Sequence, residues 1–159
     1  MEEQGTLIEQ EIKGQGRFVG KYLHALDPKK RITIPSQWRA QVGSPNSLYV
    51  LPDVDSKSLC VFPASEMKSR IERVRQHSMG DKVARNFLRI VGPQSDLVSW
   101  DTQGRIRVKD ELLELAGITE QVQLVGVIIG FELWNPKRFK ESGSMDASKL
   151  GDAARSIGF

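Results

Sequence analysis

The sequence predicts an α+β fold, mainly β, made of two β-β-α-β-β units with helices between and after them. Three observations predict it. The middle of the chain repeats at an offset of 74 residues, the separation of Asp27 from Asp101. Short runs of alternating apolar residues recur inside each copy. One long stretch between the copies carries helical periodicity. At the common offset Arg31 falls on Arg105, Ile32 on Ile106, Ile34 on Val108 and Gly43 on Gly117. Leu48, Val50 and Leu51 fall on Val122, Leu124 and Val125. After a loop shorter by two residues in the second copy, Phe62 meets Trp134 and Met67 meets Phe139. Aliphatic, turn and cap positions agree together, the mark of an internal duplication.

Taken in order, residues 1–17 read as a polar, glycine-bearing arm of loose structure. The run FVGKYLHAL is strand-like and stops at a turn at Asp27. RITI alternates, with Ile32 and Ile34 on one face and Arg31 and Thr33 on the other. SQWRAQV follows Pro35 as a short helix, with Ser36 at its N-cap and Gly43 at its end. Its counterpart DELLELA takes Asp110 as N-cap and ends at Gly117. SLYVL and LCVF complete the first unit, VQLVGV and FELW the second. The units therefore occupy residues 18–63 and 92–136. Between them, residues 64–91 hold two helical patterns separated near Gly80. Met67, Ile71 and Val74 share a face of the first; Val83, Phe87 and Ile90 share a face of the second. This pair is expected to pack over both units. Residues 137–159 form a short helix, begun at NPKRF, and a tail in which SKLGDAARSI can become helical against a partner surface.

Composition bounds the rest. A chain of 159 residues, 39% hydrophobic and 27% charged, suits one domain or two small fused ones with a packed core. A net charge of +3 and a pI near 9.1 permit a polyanionic partner without requiring one. The single cysteine, Cys60, leaves no intramolecular disulfide and reads as a small core residue in LCVFP. Few cysteines and no signal peptide fit a reducing cytoplasm. The longest apolar run, VQLVGVIIGFELW, falls short of the roughly 20 residues that span a bilayer. His24 and His77 are the only histidines, and neither has partners at zinc-ligand spacing. GQGRFVG lacks the Lys-Ser/Thr and preceding strand of a phosphate loop. No nucleophile elbow or triad signature occurs. The expectation is a non-enzyme with no catalytic residue, metal, cofactor or small-molecule substrate. Trp38, Trp100 and Trp134 read as core or interface anchors.

The turns carry the functional signal. DPKK suits a type I turn, with Asp27 first and Pro28 presetting the second φ. DTQG carries the other half of that signature, Asp101 first and Gly104 fourth, where a hairpin bulge wants a left-handed residue. The first copy has Lys30 there, at a cost of about 1 kcal/mol relative to glycine. Two readings stand side by side. Asp27 and Arg31 can be a hairpin ion pair, worth at most about 1 kcal/mol when exposed. Or Lys29, Lys30, Arg31 and Arg39, with Arg105 and Arg107 in the second copy, grip phosphate oxygens and guanine edges. Clustering favours the grip, because around the first turn only Asp27 opposes four cations. Asp27, Pro28, Asp101 and Gly104 then shape the turns.

With these residues the chain resembles the MraZ family, whose members carry two AbrB/SpoVT-type units, each with a D-x-x-x-R turn followed by alternating apolar residues. The motif stands as Asp27, Lys29, Arg31, Ile32, Ile34 and Pro35, and again as Asp101, Gly104, Arg105, Ile106 and Val108. The likeness runs from about Phe18 to about Phe139. It takes in FVGKYLHALD, DKVARNFLRIVG and FELWNPKRF. Lys30 departs from the usual glycine, Gln103 from the usual lysine and Lys109 from the usual proline. The resemblance implies interleaved swapped hairpins in a double-psi-like barrel. It implies a cytoplasmic, nucleoid-associated DNA-binding regulator, typically a repressor. Such regulators bind repeated boxes in the promoter of the division and cell-wall gene cluster through double-stranded DNA contacts of a homo-oligomeric ring. The competing reading is a ring-forming assembly module, or an antitoxin-like partner, whose basic turns make protein contacts.

Overall fold

A computed structural model describes residues 17–43, 46–53, 55, 57–78, 80–142 and 147–159. All but the last residue of the arm expected over residues 1–17 lies outside them. The elements run β1 (Lys21–Ala25), β2 (Arg31–Thr33), α1 (Ser36–Val42), β3 (Ser47–Asp53), β4 (Ser58–Pro63), α2 (Ala64–Ser78) and α3 (Lys82–Gln94). They continue with β5 (Asp96–Ser99), β6 (Arg105–Arg107), α4 (Asp110–Ala116), β7 (Gln121–Gly126), β8 (Phe131–Trp134), α5 (Pro136–Glu141) and α6 (Ala147–Ser156). The fold is α+β around a β core, and each copy shows the expected β-β-α-β-β order.

Strand pairing explains why the copies stay together. The order in the antiparallel six-stranded sheet is β1-β7-β8-β4-β3-β5, and β2 pairs with β6 in a separate ribbon. Only β3 with β4 and β7 with β8 pair inside a copy. The ladders of β1 with β7, β3 with β5, β4 with β8 and β2 with β6 all join one copy to the other. Neither copy completes a sheet alone. Period-two alternation fills the middle: Leu48, Val50, Leu59, Val61, Val122, Leu124 and Leu133 face inward. Ile32 and Ile106 sit opposite each other in the ribbon, both fully buried. Each such side chain contributes about 1.5–3 kcal/mol of apolar burial. Trp38 of α1 packs its ring 4.9 Å from that of Phe131, so the first helix closes over the second copy's strand.

Several expectations need correction. Ser36 and Asp110 are not N-caps. The caps are Pro35 and Lys109, held extended, and neither makes a side-chain cap bond. The Pro35 carbonyl receives the N–H groups of Trp38 and Arg39, and the Lys109 carbonyl those of Leu112 and Leu113. Each helix thus starts one residue earlier than its polar side chain suggests. The helix α3 runs to Gln94, carrying Pro93 in its last turn, with Ser95 closing on the carbonyls of Val91 and Gly92. The pair α2 and α3 packs mainly on β3 and β4, both of the first copy, and meets the second copy where Lys109 Nζ donates to the Pro93 carbonyl at 3.1 Å. Met67, Ile71 and Val74 line a groove of about 830 Å³ there. Val83, Phe87 and Ile90 do share a face, and it points outward, with 78%, 56% and 59% of each residue exposed.

Cys60 is not a core residue. Leu59 and Val61 take the inward positions of β4, so Cys60 falls on the outer face, half-buried opposite Glu132. Its Sγ lies 3.9 Å from Asp53 Oδ2. Burial, then the charges of Asp53 and Glu132, push the thiol up to about 12. The thiol therefore stays protonated as a weak donor. Trp38 and Trp134 are buried and Trp100 packs partly against the core, as expected of anchors. The tail is helical from Ala147 to Ser156. Among the described residues no helix is long and apolar enough to cross a membrane.

Candidate nucleic-acid interface

The two turns have one geometry. In the first, Asp27 Oδ1 accepts the N–H groups of Lys29 and Arg31 at 2.9 and 2.7 Å, and the Lys30 N–H returns to the Asp27 carbonyl at 2.8 Å. In the second, Asp101 Oδ1 accepts from Gln103 and Arg105 at 2.9 and 3.0 Å, and the Gly104 N–H returns to the Asp101 carbonyl at 2.9 Å. The carboxylate substitutes for backbone acceptors that a tight turn lacks. The closing residue is left-handed in both, φ +59° at Lys30 and +78° at Gly104. The strain expected of Lys30 is therefore real.

Because β2 pairs with β6, the two turns lie side by side, and their ions interlock. Arg31 Nε donates to Asp27 Oδ2 at 2.5 Å, and Arg105 Nε to Asp101 Oδ2 at 2.9 Å. Each guanidinium also approaches the other turn's carboxylate. Arg31 Nη1 is 3.8 Å from Asp101 Oδ2, and Arg105 Nη1 is 3.7 Å from Asp27 Oδ2. Loss of water raises the Asp27 carboxyl, but hydrogen bonds from Arg31 and Lys29 and the Arg31 charge outweigh it and leave the group below the usual carboxylate range. The backbone and guanidinium of Arg105 hold Asp101 at about 2. Both acids are firmly ionised near neutrality.

The predicted cations therefore divide. Arg31 and Arg105 do not project from the tips. They fold back into the four-membered ion cluster, with side chains only 28% and 23% exposed. Lys29 is exposed at the first tip and, alone among the six predicted cations, has no side-chain partner among the described residues. Lys30 Nζ lies 3.5 Å from Asp110 Oδ1. Arg107 Nη2 binds the same oxygen at 2.7 Å, and its Nη1 donates to the Val108 carbonyl. Arg39 reaches from α1 across to the second turn. Its Nε donates to the Ile34 carbonyl at 3.1 Å, and its guanidinium lies over Gly104, where an added Cβ would stand 2.5 Å from Cζ. Pro28 is exposed on the first turn, and Gly104 is buried beneath Arg39.

Two features of the face escape the sequence. Asp110 reads as a helix cap, yet it joins Lys30 to Arg107 across the copies. Hydrogen bonding from Arg107, then the charges of Lys30 and Arg107, keep its carboxyl below the ordinary range. The reach of Arg39 onto Gly104 is the other. One signal is present for it: at the repeat offset Arg39 falls on Leu113, which is buried. A cation in register with a core leucine must bend to a polar surface.

This face is a compact set of six cations and three carboxylates on a rigid two-strand ribbon. Chemically it can take anionic oxygens at Lys29 directly, and at the other cations by exchange with their carboxylate or carbonyl partners. No protein-family model matches the chain. Curated relatives do. The chain is 32% identical over 143 residues, 89% of its length and 99% of the relative's, to a protein of Clostridium acetobutylicum named Transcriptional regulator MraZ. A protein of the same name from Leuconostoc mesenteroides is 31% identical, over 88% of this chain and 96% of its own. One from Thermomicrobium roseum is 30% identical, over 83% and 91%. Identity at this level over nearly whole chains places the paired turns in a known setting, and this chain belongs to the MraZ family.

Proposed function

We propose that the chain is a sequence-specific, duplex-DNA-binding transcription regulator that presents its two basic turns to DNA. The observation that carries this reading is the ribbon of β2 and β6. It holds both D-x-x-x-R turns side by side, with Lys29 unpartnered among the described residues and Lys30, Arg39 and Arg107 around it. The names of the relatives support regulation of transcription, and repression is the mode we infer. The finer assignment is repeated boxes in the promoter of the division and cell-wall gene cluster, in the cytoplasm at the nucleoid. The cross-copy ladders support interleaved swapped hairpins in a double-psi-like barrel. They also support repeats over residues 18–63 and 92–136 bridged by 64–91.

A homo-oligomeric ring fits the same reading. The outward face of Val83, Phe87 and Ile90 offers a surface for a second copy. Leu23 on β1 and Leu97 on β5, equivalent positions on the two sheet edges, are also exposed. That face equally favours the runner-up, an assembly module without DNA readout. Titration with duplex DNA from upstream of the protein's own gene, at several salt concentrations, separates them. A regulator loses affinity with a log–log slope of about −0.9 per neutralised phosphate. An assembly module does not bind the duplex. Lys29→Ala removes a cation without touching a turn and is expected to flatten the slope by about 0.9. Arg31→Ala, at unchanged oligomer size, is expected to weaken promoter binding at least tenfold, an effect on the order of 1.4 kcal/mol. Full affinity in both variants sinks the hairpin reading.

A further inference from the structure

Three carboxylates stand among the cations of this face, and they are not alike. Asp27 and Asp101 each accept backbone N–H groups of their own turn, so neither can leave without dismantling it. Asp110 is bound differently. Its Oδ1 accepts from two side chains, Lys30 Nζ of the first copy at 3.5 Å and Arg107 Nη2 of the second at 2.7 Å. That carboxylate accepts no backbone N–H of α4, whose N-cap makes no side-chain bond, so it does not cap the helix. At the same position the first copy carries Ser36, which starts α1 without a charge. The Asp110 side chain is thus an added negative charge, more than half exposed, aimed at two cations that the turns do not need.

We propose that Asp110 is a built-in competitor for nucleic-acid phosphate, holding Lys30 and Arg107 and setting an upper limit on how tightly the paired turns bind; this rests on the nucleic-acid reading above. A phosphate oxygen needs the same N–H groups that Asp110 occupies. To reach them it must displace the carboxylate, which then remains beside it as a like charge. Both cations converge on one oxygen, so removing that oxygen leaves two close positive groups with their donors free. A single phosphate satisfies both. Asp110 therefore acts on affinity and on salt dependence together, and it does so through Lys30 and Arg107 as a positioning residue.

The test is Asp110→Asn in the full chain, titrated with duplex promoter DNA at several salt concentrations beside Glu111→Gln. Glu111 lies next to Asp110 in the first turn of α4 and forms no ion pair among the described residues, so its variant makes the same change in net charge. Asp110→Asn is expected to bind about 3- to 10-fold tighter at low salt, with a slope steeper by about 0.9 for each further phosphate neutralised. Glu111→Gln is expected to change affinity less than about twofold. Asp110→Glu, which restores the charge, is expected to return towards the parent. If Asp110→Asn folds poorly, Asp110→Ser, the first copy's own residue type here, replaces it. Affinity and slope equal to those of the parent overturn the proposal, and so do equal gains in Asp110→Asn and Glu111→Gln. A heparin column supplies the second arm. If the parent ignores DNA, yet Asp110→Asn elutes at higher salt than both the parent and Glu111→Gln, then competition for anions stands and the DNA reading falls. No shift on heparin overturns the competition as well.

Discussion

The two turns share the hydrogen bonds that close them and differ in what lies over them. Above the second sits Arg39, pinned to the Ile34 carbonyl and flat against Gly104. The matching position over the first is Leu113, which turns into the core and leaves the closing residue uncovered. The first turn can therefore carry Lys30 in a left-handed conformation, while at the second any side chain would have to push the Arg39 guanidinium aside. One difference in a helix, cation against leucine, leaves the tip that bears the extra charge open and the other covered. Identical local geometry does not make the tips equivalent.

Exchanging the closing residues attacks that comparison most strongly. Gly104→Lys adds about 1 kcal/mol of left-handed strain. It also displaces Arg39 from a charged hydrogen bond worth about 1.5–3 kcal/mol. The expected loss is about 2–4 kcal/mol in urea unfolding. Adding Arg39→Leu should recover part of it, and the double-mutant cycle measures the coupling. Strict additivity means Arg39 is not what makes the second tip demand glycine.

Acid is the intermediate probe. Asp101 stays ionised in the folded chain down to about pH 2, whereas an unfolded chain protonates near pH 4. Its contribution to stability is therefore fully present above about pH 4 and is lost as pH falls towards 2. Asp27 shifts in the same direction. Melting temperatures across this window are expected to fall steeply in the parent and less steeply in Asp101→Asn. An equal slope in both means the ion cluster does not tie the turns to pH. The gentlest change is Lys30→Gly. It is expected to stabilise the first turn by up to about 1 kcal/mol and to flatten the salt slope of DNA binding by less than about 0.9, because Asp110 holds Lys30 in the parent. Tighter binding at unchanged slope would make Lys30 a bystander.

Much of this is legible in the sequence because it is local. Asp27, Pro28, Asp101 and Gly104 announce turns through their own backbone preferences. Ile32 and Ile106 announce a ribbon through alternation. The 74-residue register brings Arg31 and Arg105 into equivalent places. What stays hidden depends on neighbours distant in sequence. Cys60 reads as core in LCVFP until pairing with β8 sets the inward face of β4. Asp110 reads as a cap until β2 meets β6 and delivers Lys30, eighty residues away, to its oxygen. The pairing of Arg31 with Asp27 is one of the two readings the sequence offers, but its approach to Asp101 is hidden, because that carboxylate comes from the second copy. Periodicity places Val83, Phe87 and Ile90 on one face correctly, but period alone carries no sign for inward or outward.

The cross-copy ladders also set a timetable. Strand β1 pairs through Lys21 with Val125, about a hundred residues further along the chain. At roughly 5–20 residues per second, a ribosome needs about 5–20 s to deliver that partner. Until then β1 and β3 have exposed edges, and β3 lacks its second neighbour, β5. During translation the first copy is a half-built sheet whose nearest available match is the first copy of another nascent chain. Ribosomes crowded on one message therefore expose this topology to mispairing between neighbours, and spacing of nascent chains protects against it.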